Sequence, residues 1–293
     1  MSEPAEPSLS CVIITMGTRP AELARAIAST EPLRADGVEL VLVGNGADLP
    51  PVAGPGAVRT VRLPENQGVA AGRNAGLAAS TGDVVLFLDD DGWFADPGIG
   101  KHVAARFAAD ARLAVLAFRV ADPDGGPGVR WHVPRLRADA GRSSAVTTFV
   151  GAGFAARRSA WLAAGGLPEL FFFAHEETDL AWRLIERGYR LEYDAEARMC
   201  HPPVANARHA SWYRYDGRNR VLLARRNLPW PLAAVYLLDW LVITIIRERR
   251  STGALRAWLA GFAAGWRIDP GGRRPLSLRT VCRLTRLGRP PII

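Results

Sequence analysis

Apolar residues in this chain come in short runs, each closed by a polar cluster and followed by a stretch with helical spacing. Leu9 to Thr15 reads as a strand. Pro20 to Ser29 reads as a helix, with proline in its first turn and apolar positions at Leu23, Ala26 and Ile27. Val38 to Val43, closed by Gly44-Asn45-Gly46, and Ala57 to Leu63 read as the next strands. Gly68 to Ala79 follows as a helix rich in small residues, and Val84 to Leu88 as a strand ending in Asp89-Asp90-Asp91. Strands and helices alternating at this spacing predict a parallel sheet with helices on both faces. Ligands of such sheets bind beyond the carboxyl ends of the strands. The polar clusters at 15–19, 44–48 and 89–91 all fall there.

The second half changes character. Asp122 to Gly128 is a turn-rich loop, and Ala138 to Ser144 is polar. Val146 to Val150 is expected as a strand that stops at Gly151-Ala152-Gly153. Arg157 to Ala164 and Glu176 to Arg187 read as helices, ended by Gly165-Gly166 and Gly188. From Ser211 onward the chain reads as largely helical, with a break at Pro229 to Pro231. The apolar stretch Leu228 to Ile246 contains Pro229, Pro231 and Asp239, which makes it a poor transmembrane span and favours a buried or surface-lying helix.

A length of 293 residues suits one large domain, or one domain with a helical appendage. Charge sharpens that division. Residues 205–293 hold 17 arginines against 4 acids, whereas the remainder is mildly acidic. A basic tail on an acidic body points to nucleic acid, anionic lipid or a phosphorylated substrate. No nucleic-acid motif accompanies the charge, so no nucleic-acid partner is expected. Trp230, Tyr236, Trp240, Trp258, Phe262 and Trp266 are interleaved with the arginines. That pattern fits a helix lying on an anionic membrane and equally a core-packed helical subdomain. Cys11, Cys200 and Cys282 lie too far apart for a cysteine metal site or a disulfide framework, and suit a reducing compartment. The polar, acidic start of the chain reads as no signal peptide. The expected location is cytoplasmic, peripheral at the inner face of the membrane.

Three adjacent carboxylates repel one another and need a cation among them. A divalent metal carrying a phosphorylated ligand answers that need, because hard cations bridge carboxylates to phosphates. Arg73 is a long polar residue in a helix of small ones, placed to contact a nucleotide or to offset the aspartates. Glu176 and Glu177 open a helix after Phe171-Phe172-Phe173. Acids are favoured at a helix start, and a carboxylate among aromatic rings gains proton affinity and can act as a general base. Asp179 and Arg183 are spaced to pair along that helix. These residues alone fit sugar transfer, nucleotidyl transfer or a non-catalytic nucleotide-sugar binder.

In their order and spacing, the Gly68–Gly76 segment, the Phe87–Asp91 strand end and the Glu-Glu-x-Asp-Leu-x-Trp-Arg block resemble the family 2 inverting glycosyltransferases, most nearly their rhamnosyltransferase-like, cell-envelope branch. The resemblance runs from about Leu9 to Asn219. It implies an α/β fold of GT-A type, a Rossmann-like mixed sheet flanked by helices, with a C-terminal helical extension. The divisions it implies are a disordered 1–8, a GT-A domain at 9–220 and a basic, aromatic-rich region at 221–293. It further implies a nucleotide-diphosphate sugar donor, a glycan or lipid-linked acceptor, and Mg²⁺ or Mn²⁺ held by Asp91 with Asp89 and His201. Thr15, Arg19, Asn45, Arg73, Asp89 and Asp90 would lie along the donor. Gly151, Gly153, Asp179 and Arg218 would lie on the acceptor side. Glu177 falls at the base position, with Glu176 as second candidate. One departure stands out: Gly44 occupies the place where the family carries an aspartate that touches the nucleobase, which leaves Asn45 or backbone groups for that task.

Overall fold

Runs dominated by apolar side chains form β1 (Leu9–Thr15), β2 (Glu39–Asn45) and β4 (Val84–Asp89), each buried along nearly its whole length. The computed structural model describes residues 6–123, 132–134, 139–202 and 210–291. The loop expected at 122–128, the disordered start and the polar 138–144 segment fall partly outside them. β1 pairs in parallel with both β2 and β4, and β3 (Val58–Leu63) extends the parallel set at one edge. Alternate residues serve opposite faces. Val12, Val41, Val43 and Phe87 enter one core, while Cys11, Ile13, Leu40, Leu42 and Leu86 enter the other. α3 (Gly68–Ala79) covers the first face, and α1 (Pro20–Ser29), α2 (Glu31–Ala35) and α4 (Ile99–Ala109) cover the second.

Beyond β4 the sheet turns mixed. β8 (Gly153–Arg157) runs antiparallel to both β4 and β6 (Leu113–Ala121), and β6 pairs in parallel with β9 (Arg190–Cys200). The short β5 (Trp93–Phe94) and β7 (Ser144–Ala145) pair with β9, giving the order β3-β2-β1-β4-β8-β6-β9-β5 among the described residues. The all-parallel sheet predicted from alternation therefore holds for one half only, and the mixed sheet implied by the resemblance is what forms. The strand expected at 146–150 is also displaced. Val146 and Phe149 are buried from a segment outside any strand, tied to β9 by the Val146 amide on the Leu191 carbonyl, and β8 begins only after the Gly151-Ala152 turn.

α5 (Arg158–Ala164) and α6 (Glu176–Glu186) follow, then α7 (Ala210–Asn227), α8 (Trp230–Glu248), α9 (Thr252–Arg267) and α10 (Leu278–Arg286). The boundary expected at 220/221 lies inside α7, whose Val221, Leu222, Leu223 and Ala224 are wholly buried in the first core. Trp258 and Tyr236 are core residues, while Trp230 and Trp266 are exposed. Trp182 is buried and packs edge-on against Tyr236. The prolines do not interrupt α8: Pro229 precedes it and Pro231 lies in its first turn. It is long and apolar enough to cross a membrane, and only 22% of its apolar stretch is buried. Val235, Leu238, Val242, Ile245 and Ile246 form an exposed stripe at helical spacing.

Candidate active site

β1 lies between β2 and β4, so the strand order reverses at this point, and the carboxyl ends of the parallel strands there are where ligands of such sheets bind. Thr15 ends β1 and Asp89 ends β4, with Asp90 and Asp91 following. The Thr15 hydroxyl donates to Asp90 Oδ2 at 2.6 Å. Arg19 donates to Asp90 Oδ1 at 2.7 Å and also to Asp91. Arg73 donates to Asp89 at 3.0 Å, and His201 Nε2 meets Asp91 Oδ1 at 3.0 Å. Each aspartate thus has a cationic partner from the protein itself. Burial pushes the Asp90 carboxyl up. Burial acts the same way on Asp91, but the hydrogen bond and charge of His201 hold it below the usual range. For His201 burial works downward, and Asp91 raises it above its ordinary value.

Asp89, Asp91 and His201 each offer one ligand atom, all within 4.8 Å of one another. Two carboxylate oxygens and an imidazole nitrogen suit a hard divalent ion. His201 Nδ1 lies 2.7 Å from the Pro202 carbonyl. Such an outer hydrogen bond fixes the ring and leaves Nε2 as the ligand atom. The residues present therefore fit a metal. His132, which the sequence did not single out, stands edge-on to His201 at 5.9 Å, held neutral by burial and by the neighbouring imidazole, with its pKa lowered to about 4.

Arg73 is the centre of the other half. Its guanidinium bonds Asp89 on one side, Glu177 Oε1 at 3.2 Å on the other and the Gly151 carbonyl at 2.8 Å, with Glu176 Oε1 3.6 Å away. A Cβ at residue 151 would lie 2.3 Å from Glu177 Oε1 and 2.5 Å from Arg73 Nη2, so glycine is what lets the cluster close. Glu176 is buried, its Oε2 has no hydrogen-bond partner among the described residues, and burial followed by the charge of Glu177 pushes its carboxyl well above the usual range. The Glu177 side chain is 17% exposed against 2% for Glu176, so it presents the accessible carboxylate. Gly153 packs against Met199 in the core instead of lining the crevice.

The segment before Glu176 carries unusual backbone. Phe172, Ala174 and His175 have φ of 62°, 72° and 70°. Non-glycine residues held in such positions cost about 1–3 kcal/mol each and persist only when surrounding contacts dictate them. Those contacts come from α7. Asn219 Nδ2 lies 2.9, 2.7 and 2.8 Å from the carbonyls of Phe171, Phe173 and Ala174. Arg218 donates to the carbonyls of Leu170 and Phe171, which makes it a loop clamp where an acceptor-side residue was expected. His175 Nε2 meets Asp216 at 2.9 Å, and Asp216 also takes Arg220 and the Trp258 indole. From α3, the Val69 amide donates to the Phe172 carbonyl at 2.7 Å.

Two other expected site residues have their polar atoms engaged elsewhere. Asp179 is fully buried and accepts from Arg183, Arg226 and Asn227, joining α6 to α7 rather than facing an acceptor. The Asn45 side chain is bonded to Asn66, to the Gly68 carbonyl and to the Gln67 amide, so it braces the turn into α3. At Gly44 a Cβ would lie 2.3 Å from the Ala47 carbonyl. The loop folded over this position leaves no room for an aspartate. Beyond β2 and β3 lies a cavity of about 400 Å³ with Asp48 and Arg62 in its wall.

Residues 10–162 match the family model described as glycosyl transferase family 2, and residues 129–268 match that of glycosyl transferase family group 2. The chain is 28% identical to the pre-mycofactocin glycosyltransferase of Mycobacterium tuberculosis, across 80% of this chain and 52% of that protein. It therefore spans about half the length of the curated relatives it matches. Among solved structures, S. aureus TarS 1-349 in complex with UDP-GlcNAc superposes with a TM-score of 0.62 at 14% identity, covering 94% of this chain and 83% of that one. The mannosyltransferase PcManGT of Pyrobaculum calidifontis, in complex with GDP-Man and Mn²⁺, gives 0.57 at 16% identity over 96% and 79%. These likenesses mark the fold as GT-A.

Proposed function

The chain belongs to glycosyl transferase family 2, and from that premise we propose that it is an inverting, divalent-metal-dependent transferase acting on a nucleotide-diphosphate sugar. Family membership removes the nucleotidyltransferase and the non-catalytic binder from consideration. The observation that carries the reading is the Arg73 guanidinium, which ties the donor-side Asp89 to the base-side Glu177. A displacement with inversion needs a leaving group and a base on opposite sides of one carbon, and this cluster supports such an arrangement.

In the proposed reaction the Glu177 carboxylate takes the proton of an acceptor hydroxyl as that oxygen bonds to the anomeric carbon. The bond from that carbon to the diphosphate breaks, and the electron pair leaves with the nucleoside diphosphate. Arg19 and Arg73 are the nearby cations that stabilise the charge developing on it. A divalent ion, when bound by Asp89, Asp91 and His201, supplies further charge neutralisation at the diphosphate. Burial and the charge of Glu177 raise the proton affinity of Glu176, which leaves the more exposed Glu177 as the carboxylate that faces an acceptor. The base recognition that a residue-44 carboxylate would provide is assigned to the edge lined by Asp48 and Arg62.

The acceptor is read as a lipid-linked or envelope glycan, because the exposed stripe of α8 is followed by Arg247, Arg249 and Arg250. Measuring nucleoside diphosphate release and donor affinity in Glu177→Gln tests the mechanism. Turnover is expected to fall by about 10²–10⁴-fold while donor binding stays as in the wild type. Full activity in that variant, or activity in EDTA equal to that with Mn²⁺, would overturn it.

A further inference from the structure

At the end of the sheet away from the aspartates lies a cavity of about 640 Å³. Arg112 and Arg190 enter it from the starts of the parallel strands β6 and β9, where the Arg190 amide bonds the Arg112 carbonyl at 2.8 Å. Arg187 enters from the end of α6, and Arg279, Arg283 and Arg286 enter from α10. The far end of β9 leads to His201, so by strand rise the cavity and the candidate metal ligands are roughly 30 Å apart.

Six guanidinium groups from segments remote in sequence share one concavity, and the acids nearby do not balance them. Arg190 pairs with Asp110 and Glu192, and Arg283 donates to the carbonyls of Ile185 and Tyr189. Glu186 is the one acid of the wall, and its Oε2 accepts from the Ser277 amide and hydroxyl. Among the described residues Arg112, Arg187, Arg279 and Arg286 have no carboxylate partner. Guanidinium groups gathered on one concave, solvent-facing surface give it a positive potential that draws anions. Arginine forks match phosphate oxygens two at a time. The volume falls in the range of small-molecule sites.

We propose that this cavity is a second ligand site that takes a phosphoryl-bearing anion, separate from the donor crevice. Two sources share that chemistry, a soluble phosphate ester and a phospholipid headgroup. The test is calorimetric titration of inorganic pyrophosphate into the full chain in EDTA at fixed ionic strength. A saturable isotherm is expected in the wild type. Arg279→Glu/Arg286→Glu is expected to weaken it about tenfold or more, and Arg19→Ala in the donor crevice to leave it unchanged. Arg112→Glu, at the start of β6 rather than on α10, is expected to weaken it as well. Vesicles containing phosphatidic acid that displace pyrophosphate would assign the site to a headgroup, and vesicles that leave it bound would assign it to a soluble ester. Absence of a saturable isotherm, or one lost in Arg19→Ala and retained in the cavity variants, would overturn the proposal.

Discussion

In the proposed mechanism the role of Arg73 rests on the shape of its side chain. Its two amino groups reach Asp89 and Glu177 separately, which a lysine ammonium on a single stem does not reproduce. Arg73→Lys is expected to fold, because charge is kept, yet to lose at least about tenfold in kcat/KM; steady-state kinetics would show it, and an unchanged value would mean that only the charge matters. Gly44 makes the opposite point. Gly44→Ala drives a methyl group against the Ala47 carbonyl, and overpacking of this kind costs about 1–3 kcal/mol. Urea unfolding at matched conditions would register the loss. Residues at this scale were readable when their role is local. Three aspartates at a strand end and a glutamate pair after aromatic residues announce themselves. Asp179 misled because a spacing of four describes its bond to Arg183 but not its burial or its bonds to Arg226 and Asn227.

Among the elements, α7 and the 171–175 segment act as a pair. Removing the amide in Asn219→Ala takes the side-chain donor from the Phe173 and Ala174 carbonyls, at about 1–3 kcal/mol. The strained loop then no longer fixes the start of α6, so kcat is expected to fall more than KM rises, and a purely structural role would lower thermal stability while leaving the kcat of the folded fraction intact. The His175–Asp216 contact adds a pH dependence. Burial and the charge of Arg220 hold His175 below its ordinary value, while burial of Asp216 is overcome by Arg220 and His175, which hold that carboxyl far down. Both groups have depressed folded-state values, so the unfolded chain binds more protons and stability is lost as pH falls. The loss begins near the unfolded histidine value of about 6.5 and deepens below about 4. A melting series from pH 7.5 to 3 should show it, and His175→Asn, which tolerates the positive φ, should flatten the upper part only. None of this network was legible in the sequence. His175 and Asp216 are 41 residues apart and Asn219 lies 45 from Ala174, so no periodicity links them. The strands and helices of the first half were legible because their periodicity is local. The antiparallel β8 was misplaced because apolar content alone does not distinguish a buried loop from a strand.

For the molecule as a whole, the exposed stripe of α8 beside arginines predicts attachment to anionic bilayers. The wild type is expected to sediment with phosphatidylglycerol vesicles and not with phosphatidylcholine ones, and Leu238→Glu/Ile246→Glu is expected to stay in the supernatant with donor turnover on a soluble acceptor unaltered. Equal sedimentation of that variant would place the attachment elsewhere or nowhere. The same scale brings out a further property of Arg73. It joins the parallel half of the sheet, through Asp89, to the helical half that carries Glu177. In the proposed mechanism a cation shared in this way would make the two substrates thermodynamic partners. Whatever donor binding does to the hold of Arg73 on Glu177, acceptor binding must return to the donor by the same factor. In that mechanism the coupling would be a property of one side chain, and cutting the link would leave two binding events that no longer inform each other.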